Sequence, residues 1–250
     1  MPAELLAGAE PYRSSSGPDG VLLLHGLTGT PHSLRRLAYC LADAGLSVEL
    51  PLLPGHGTSV EDLAGTRFHD WAGAAEAAYD GLAARCDRVV VCGLSMGGTL
   101  SCWLAERHAE LAGLVLINPL VEPPAPAAVE VLRAGLGSGT STLPAIGSDI
   151  ALAGVREVAY DALPVAALVS LLEATAAVAG ALGRICCPVL VLSSLVDHVV
   201  PTGSSDLVES AVSGPVERVA LERSYHVATL DHDAGEVEQR VVAFVQKVLA

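Results

Sequence analysis

The run Arg88-Val-Val-Val-Cys92, followed directly by Gly93-Leu94-Ser95-Met96-Gly97, constrains this chain more than any other segment. An unbroken β-branched apolar run reads as a strand buried on both faces. The glycines two positions either side of Ser95 let the chain turn sharply into a helix, because side chains there would collide with the neighbouring strand and helix. Gly98, Thr99 and a helical Leu100–His108 segment complete a strand–turn–helix unit. Ser95 Oγ then stands above the end of a sheet, beside a helix N-terminus that favours negative charge. A bare Gly-x-Ser-x-Gly arises by chance, but with this strand before it and this helix after it the pattern marks a reactive serine.

The rest of the chain alternates strand and helix with short connections, the signature of a mostly parallel sheet covered on both faces. Strands are expected at Val21–His25, Leu46–Leu50, Arg88–Cys92, Gly113–Ile117, Val189–Ser193 and Val216–Leu221. Helices are expected at Ser33–Ala44, His69–Arg85, Ser204–Ala211 and Glu236–Leu249. After Pro119 the alternation breaks into a Pro-rich stretch over Val121–Ala134, a Gly/Ser/Thr loop over Gly135–Thr142 and a largely helical Ala151–Ala181. Residues 119–184 therefore read as a helical insertion, and 1–118 with 185–250 as the core domain. The apolar stretch Val165–Val178 fits packing on the core, covering a site or meeting a second subunit equally well.

The 250 residues are 51% apolar but only 4% aromatic, so Ala, Val and Leu must build the core. No apolar stretch of about 18 residues runs free of charge, Pro or Gly, which argues against a membrane-spanning helix. The N-terminal Met1–Glu10 has no basic residue before its short apolar part, which argues against a secretory signal. A net charge of −14 without a Lys/Arg cluster disfavours nucleic acid and anionic membrane as partners and serves solubility. Cys40, Cys86, Cys92, Cys102, Cys186 and Cys187 show no metal or disulfide-scaffold spacing. Reduced structural thiols in the cytoplasm are expected.

A nucleophilic serine needs a base, and the base needs an orienting acid, in the chain order Ser, acid, His for this topology. His25, His32, His56 and His69 precede Ser95, and His108 lies about three turns down the helix that follows it. Of His198, His226 and His232, His226 sits in the loop after the last strand, at the carboxyl edge where Ser95 points. Two carboxylates compete as its partner. Asp197, in the loop after Val189–Ser193, lies one strand–helix–strand unit earlier and is preferred. Asp231 heads into the last helix and reads as its cap. The oxyanion of a tetrahedral intermediate needs two backbone N–H groups, assigned to Met96 and, from the Gly-rich loop His25-Gly26-Leu27-Thr28-Gly29, to Leu27. That loop carries no Lys and lacks the spacing of a phosphate cradle.

Five ordered segments now stand out: His25–Ser33, Pro54-Gly-His-Gly-Thr58, Gly93–Thr99, Asp197-His-Val-Val-Pro201 and Ser224–Asp231. Together, between about Gly8 and Phe244, they resemble the bacterial monoacylglycerol lipases, α/β-hydrolases close to small thermostable carboxylesterases of bacilli. The resemblance implies Ser95, Asp197 and His226 as nucleophile, acid and base, Leu27 and Met96 at the oxyanion hole, and no metal or organic cofactor. It also implies that the insertion is a cap forming an acyl tunnel and a pocket for glycerol. There Glu157 would hydrogen-bond glycerol hydroxyls and Ile146 would line the pocket, although residue pattern alone makes Glu157 an exposed helix charge. The chain departs from the pattern at Leu27, where relatives commonly carry Phe. The implied substrate is a small lipid ester, met at a transient interface without membrane insertion.

General short-chain carboxylesterases share every catalytic residue, and acyl-thioesterases or cofactor-free perhydrolases can use the same scaffold. A ligand receptor with negligible turnover is a further reading from a different class. A haloalkane dehalogenase would need Asp at the turn, and Ser95 excludes it.

Overall fold

The computed structural model describes residues 4–250. Seven strands form the central sheet: β1 (Tyr12–Ser14), β2 (Gly20–Leu24), β3 (Ser47–Leu50), β4 (Val89–Leu94), β5 (Gly113–Ile117), β8 (Val189–Ser194) and β9 (Val216–Leu221). Their spatial order is β1-β3-β2-β4-β5-β8-β9, with every pairing parallel except that of β1 with β3. β4, which delivers Ser95, lies at the centre of this order.

The alternation of side chains along buried strands sorts them onto two helical layers. Leu22, Leu24, Val89, Val91, Leu114 and Leu116 face α3 (Phe68–Ala83) and α4 (Met96–Ala105). Val21, Leu23, Val90, Cys92, Val115 and Ile117 face α1 (Arg35–Asp43) and α8 (Ala234–Val248). Truncating any of the fully buried leucines to Ala removes transfer energy and opens a void, at about 2–5 kcal/mol each. Short helices α2 (Val60–Ala64) and α7 (Gly203–Ala211) complete the core outside the segment between β5 and β8. The six cysteines are free thiols.

Between β5 and β8 the chain leaves the sheet. It forms α5 (Pro126–Gly137), a hairpin of β6 (Thr142–Pro144) with β7 (Ala162–Pro164), and α6 (Val165–Ala181). The expected helix over Ala151–Ala181 is thus only half present. Residues 151–161 are irregular, with Gly154 at φ +81°, and Pro164 sets the start of α6. This stretch trades helical bonds for bonds to the core. Tyr160 N–H donates to Thr28 O, Thr30 Oγ1 to Val158 O, and Tyr160 Oη bridges Thr58 N and Gly55 O.

Val165–Arg184 forms a helix that, by length and composition alone, is long and apolar enough to cross a membrane, with mean hydropathy 1.9. Glu173 and Gly180 do not break it. Here it packs Ala167, Leu171 and Val178 into the core, as the long helix of a folded domain does.

Candidate active site

Ser95 caps the N-terminus of α4 with φ 57° and ψ −119°, a strained conformation for a residue with a side chain. The surroundings enforce it. A Cβ on Gly93 would lie 2.0 Å from Gly97 O, and one on Gly97 would lie 1.9 Å from Leu24 O. Ser95 N–H donates to Ile117 O at 3.1 Å, and its carbonyl takes Gly98 N–H at 2.8 Å, so both sides of the turn are held. Met96 opens the helix, and its N–H belongs to the first turn, where no intrahelical acceptor exists.

The loop after β2 comes close to this turn because Gly26 has no side chain. A Cβ there would stand 3.3 Å from Ser95 Cβ. His25 anchors the loop. Its Nδ1 donates to Gly26 O at 3.0 Å, while Nε2 accepts Leu53 N–H at 3.1 Å, fixing a neutral tautomer. Burial, with the nearby His56, pushes its pKa down to about 3 despite the Gly26 bond. His25 is thus an anchor of the loop that carries Leu27, a role that its position ahead of Ser95 in the chain does not by itself reveal. Its place between the β2 strand and Gly26 was the available signal.

His226 and Asp197 meet from their loops after β9 and β8. His226 Nδ1 lies 2.8 Å from Asp197 Oδ2, and both side chains are buried. Asp197 Oδ1 also accepts Val199 and Val200 N–H groups, each at 2.8 Å. Burial alone would raise the Asp197 carboxyl, but the His226 and backbone bonds prevail and hold it below the usual range. An ionised Asp197 requires the proton on His226 Nδ1, leaving Nε2 as a base. The His226 main chain is pinned on both sides. Its carbonyl accepts Asn118 Nδ2 at 2.7 Å, and its N–H donates to Asp149 Oδ2 at 3.1 Å.

Asp231 is not the cap of α8. Its carboxylate accepts N–H groups of Ala151, Leu152, Tyr225 and His232 at 2.7–2.9 Å, joining the His226 loop to the irregular 151–161 stretch. His198 is largely exposed, pairs with Asp149 at 2.8 Å and meets the Tyr225 ring edge-on. No local pattern reveals the roles of Asp149 and Asn118, whose partners lie far off in sequence, or the reach of Asp231 to Ala151 and Leu152.

Ser95 and His226 line one cavity of about 270 Å³. Its walls are mainly apolar, including Leu27, Leu163, Leu168, Leu171, Leu172 and Val200. Ile146 also lines it, although 62% exposed. Glu157 lines it as well, on the irregular stretch and not on a helix, which corrects the expectation of an exposed helix charge. Burial pushes the Glu157 carboxyl up to about 7, against a downward pull from His226. Gly29 makes room for it: a Cβ there would be 3.3 Å from Glu157 Oε2.

A serine on a strained strand-to-helix turn, with a buried imidazole–carboxylate pair at the same sheet edge, defines an α/β-hydrolase. Residues 18–233 match the family model described as Serine aminopeptidase, S33. The chain is 46% identical over 244 residues to the thermostable monoacylglycerol lipase of Bacillus sp. (strain H-257), covering 97% of this chain and 96% of that one. It superposes with TM-score 0.93 and 40% identity on a chain from the metagenome-derived lipolytic enzymes LipS and LipT, covering 98% and 100%. Palaeococcus ferrophilus monoacylglycerol lipase shares the fold at TM-score 0.80 and 18% identity, over 96% and 99%. The chain belongs to this S33 serine hydrolase family, in its branch of monoacylglycerol lipases and small carboxylesterases, and is a carboxylic ester hydrolase.

Proposed function

We propose that the protein cleaves monoacylglycerols to glycerol and fatty acid, with Ser95 as nucleophile, His226 as base and Asp197 as orienting acid. The observation that carries this reading is the cavity itself: apolar walls of acyl-chain character, with the Glu157 carboxyl as a polar anchor in the same space as Ser95 and His226. The 46% identity to a monoacylglycerol lipase supports it. In the first half-reaction His226 Nε2 takes the Ser95 proton as Oγ attacks the ester carbonyl, and Leu27 and Met96 N–H groups hold the oxyanion. Collapse breaks the ester C–O bond, and the imidazolium gives its proton to the departing glycerol oxygen. In the second half His226 deprotonates a water that attacks the acyl-enzyme, releasing fatty acid and restoring Ser95.

Residues 119–184 act as the cap of this site, and Glu157 and Ile146 contact the glycerol end. Six free cysteines fit a reducing, cytoplasmic setting. The test compares kcat/KM for 1-lauroylglycerol with dilauroylglycerol, trilauroylglycerol and p-nitrophenyl butyrate. A strong preference for the monoacylglycerol, weakened by Glu157→Ala, is expected. Fast butyrate hydrolysis with little monoacylglycerol turnover would make this a general carboxylesterase.

A further inference from the structure

Asp149 belongs to the segment between β5 and β8, yet its carboxylate is buried, with the side chain 9% exposed. One oxygen, Oδ2, accepts two backbone N–H groups: that of His226, at 3.1 Å, and that of His198, which directly follows Asp197, at 3.2 Å. The other oxygen pairs with His198 Nδ1 at 2.8 Å. The Asp149 carbonyl further accepts Val227 N–H at 3.1 Å. A single residue of the cap segment thus joins the loop carrying the acid to the loop carrying the base.

We propose that Asp149 is a positioning residue for catalysis, setting the His226–Asp197 pair against Ser95 by accepting main-chain hydrogen bonds from both loops. The proposal rests on the roles given above to Ser95, Asp197 and His226. Asn118 fixes the His226 carbonyl from the core side, so Asp149 supplies the opposing constraint on its N–H. Without that acceptor the half-buried His226 N–H loses its partner along with the exposed His198 N–H, and the base loop relaxes away from Ser95. The role depends on an acceptor oxygen and not on charge. Asparagine can place its amide oxygen at the Oδ2 position and donate its NH₂ to His198 Nδ1, which becomes an acceptor in the other tautomer.

The test uses purified Asp149→Ala, Asp149→Asn and Ser95→Ala proteins. Active sites are counted by fluorophosphonate labelling, and p-nitrophenyl butyrate is the substrate, well below each melting temperature. The Ala variant should lose about 10²-fold in kcat, the scale of a misplacement near 1 Å, with KM changed less than about threefold. The downfield proton signal of the His226 Nδ1–H in its bond to Asp197 should shift or vanish. The Asn variant should recover kcat to within about fivefold and restore the signal, as expected where hydrogen-bond geometry and not charge is at stake. Wild-type kcat per labelled site in Asp149→Ala, with only a lower melting temperature, would overturn the proposal. So would an Asn variant as impaired as Ala. If the Ala protein does not fold, Asp149→Ser replaces it: lowered kcat with KM kept supports positioning, and wild-type kcat overturns it. Turnover surviving in Ser95→Ala would instead unseat the catalytic assignment itself, and the positioning role with it.

Discussion

His226 Nδ1 sits 2.8 Å from Asp197 Oδ2, and among the described residues no other carboxylate bonds that ring. Asp231, its rival in the sequence, directs both oxygens to backbone N–H groups instead. Asp197→Asn should therefore lower kcat by about 10⁴-fold, because an amide NH₂ opposite Nδ1 selects the tautomer with the proton on Nε2. Ser95→Ala should abolish turnover with folding intact. Steady-state kinetics beside circular dichroism checks both, and an Asp197→Asn enzyme of near-normal kcat would remove Asp197 from the mechanism.

Asp231→Asn should behave differently, and not as the near-neutral change that a helix cap would allow. Each Asp231 oxygen serves two N–H donors, so either orientation of an amide turns its NH₂ against a pair of them. Two unpaired buried N–H groups predict a loss of about 2–5 kcal/mol in stability, with kcat per folded molecule far less affected than in Asp197→Asn. Urea unfolding measures the first and active-site-titrated kinetics the second. An unchanged unfolding midpoint would contradict this.

His25→Leu removes both the Leu53 acceptor and the Gly26 donor. Stability should fall by about 1–3 kcal/mol for the stranded Leu53 N–H. If the loop then shifts Leu27 N–H off the oxyanion, kcat should drop by up to about 10²–10³-fold, the cost of one lost donor. Thermal melting together with kcat tests the coupling. A lower melting temperature with unaltered kcat would mean that His25 holds the fold and not the loop.

Glu157 predicts a pH signature. Its folded-state pKa is raised to about 7 from an unfolded 4.5, so the stability tied to its protonated form is complete below about pH 4.5 and is lost as pH rises through 7. His25 and His56 run the opposite way: their depressed pKa values, about 3 and about 4, make stability fall as pH drops below 6.5. A difference measurement separates them. The melting temperature of Glu157→Gln minus that of wild type should increase between pH 5 and pH 8. A difference that stays flat over that range would place the Glu157 carboxyl in water.

The strands were legible because burial on both faces forces uninterrupted runs such as Val89–Cys92 and Gly113–Ile117, which nothing else in a chain this size requires. The Ser95 turn was legible for a steric reason, since backbone oxygens occupy the space of any Cβ at Gly93 or Gly97. Three-residue β1, β6 and β7 carry too few side chains to show a period. Residues 151–161 looked helical from composition because propensity is local, whereas Tyr160 and Val158 are held by partners more than a hundred residues away. Glu157 looked like a surface charge for the same reason. Its burial is a property of the assembled cavity.

The segment between β5 and β8 is tethered very unevenly. Residues 149–160 are bonded to the core at Asp149, Ala151, Leu152, Val158 and Tyr160, whereas α5 buries none of its side chains. The chain thus carries a firmly bonded post beside a helix held to α6, where Arg133 pairs with Glu173 at 2.8 Å. Substitutions on the outer face of α5 therefore leave the bonds made by residues 149–160 untouched, and the reacting groups keep their register. Change in this family member can accumulate on α5 by small steps at no cost to the alignment of His226 with Asp197.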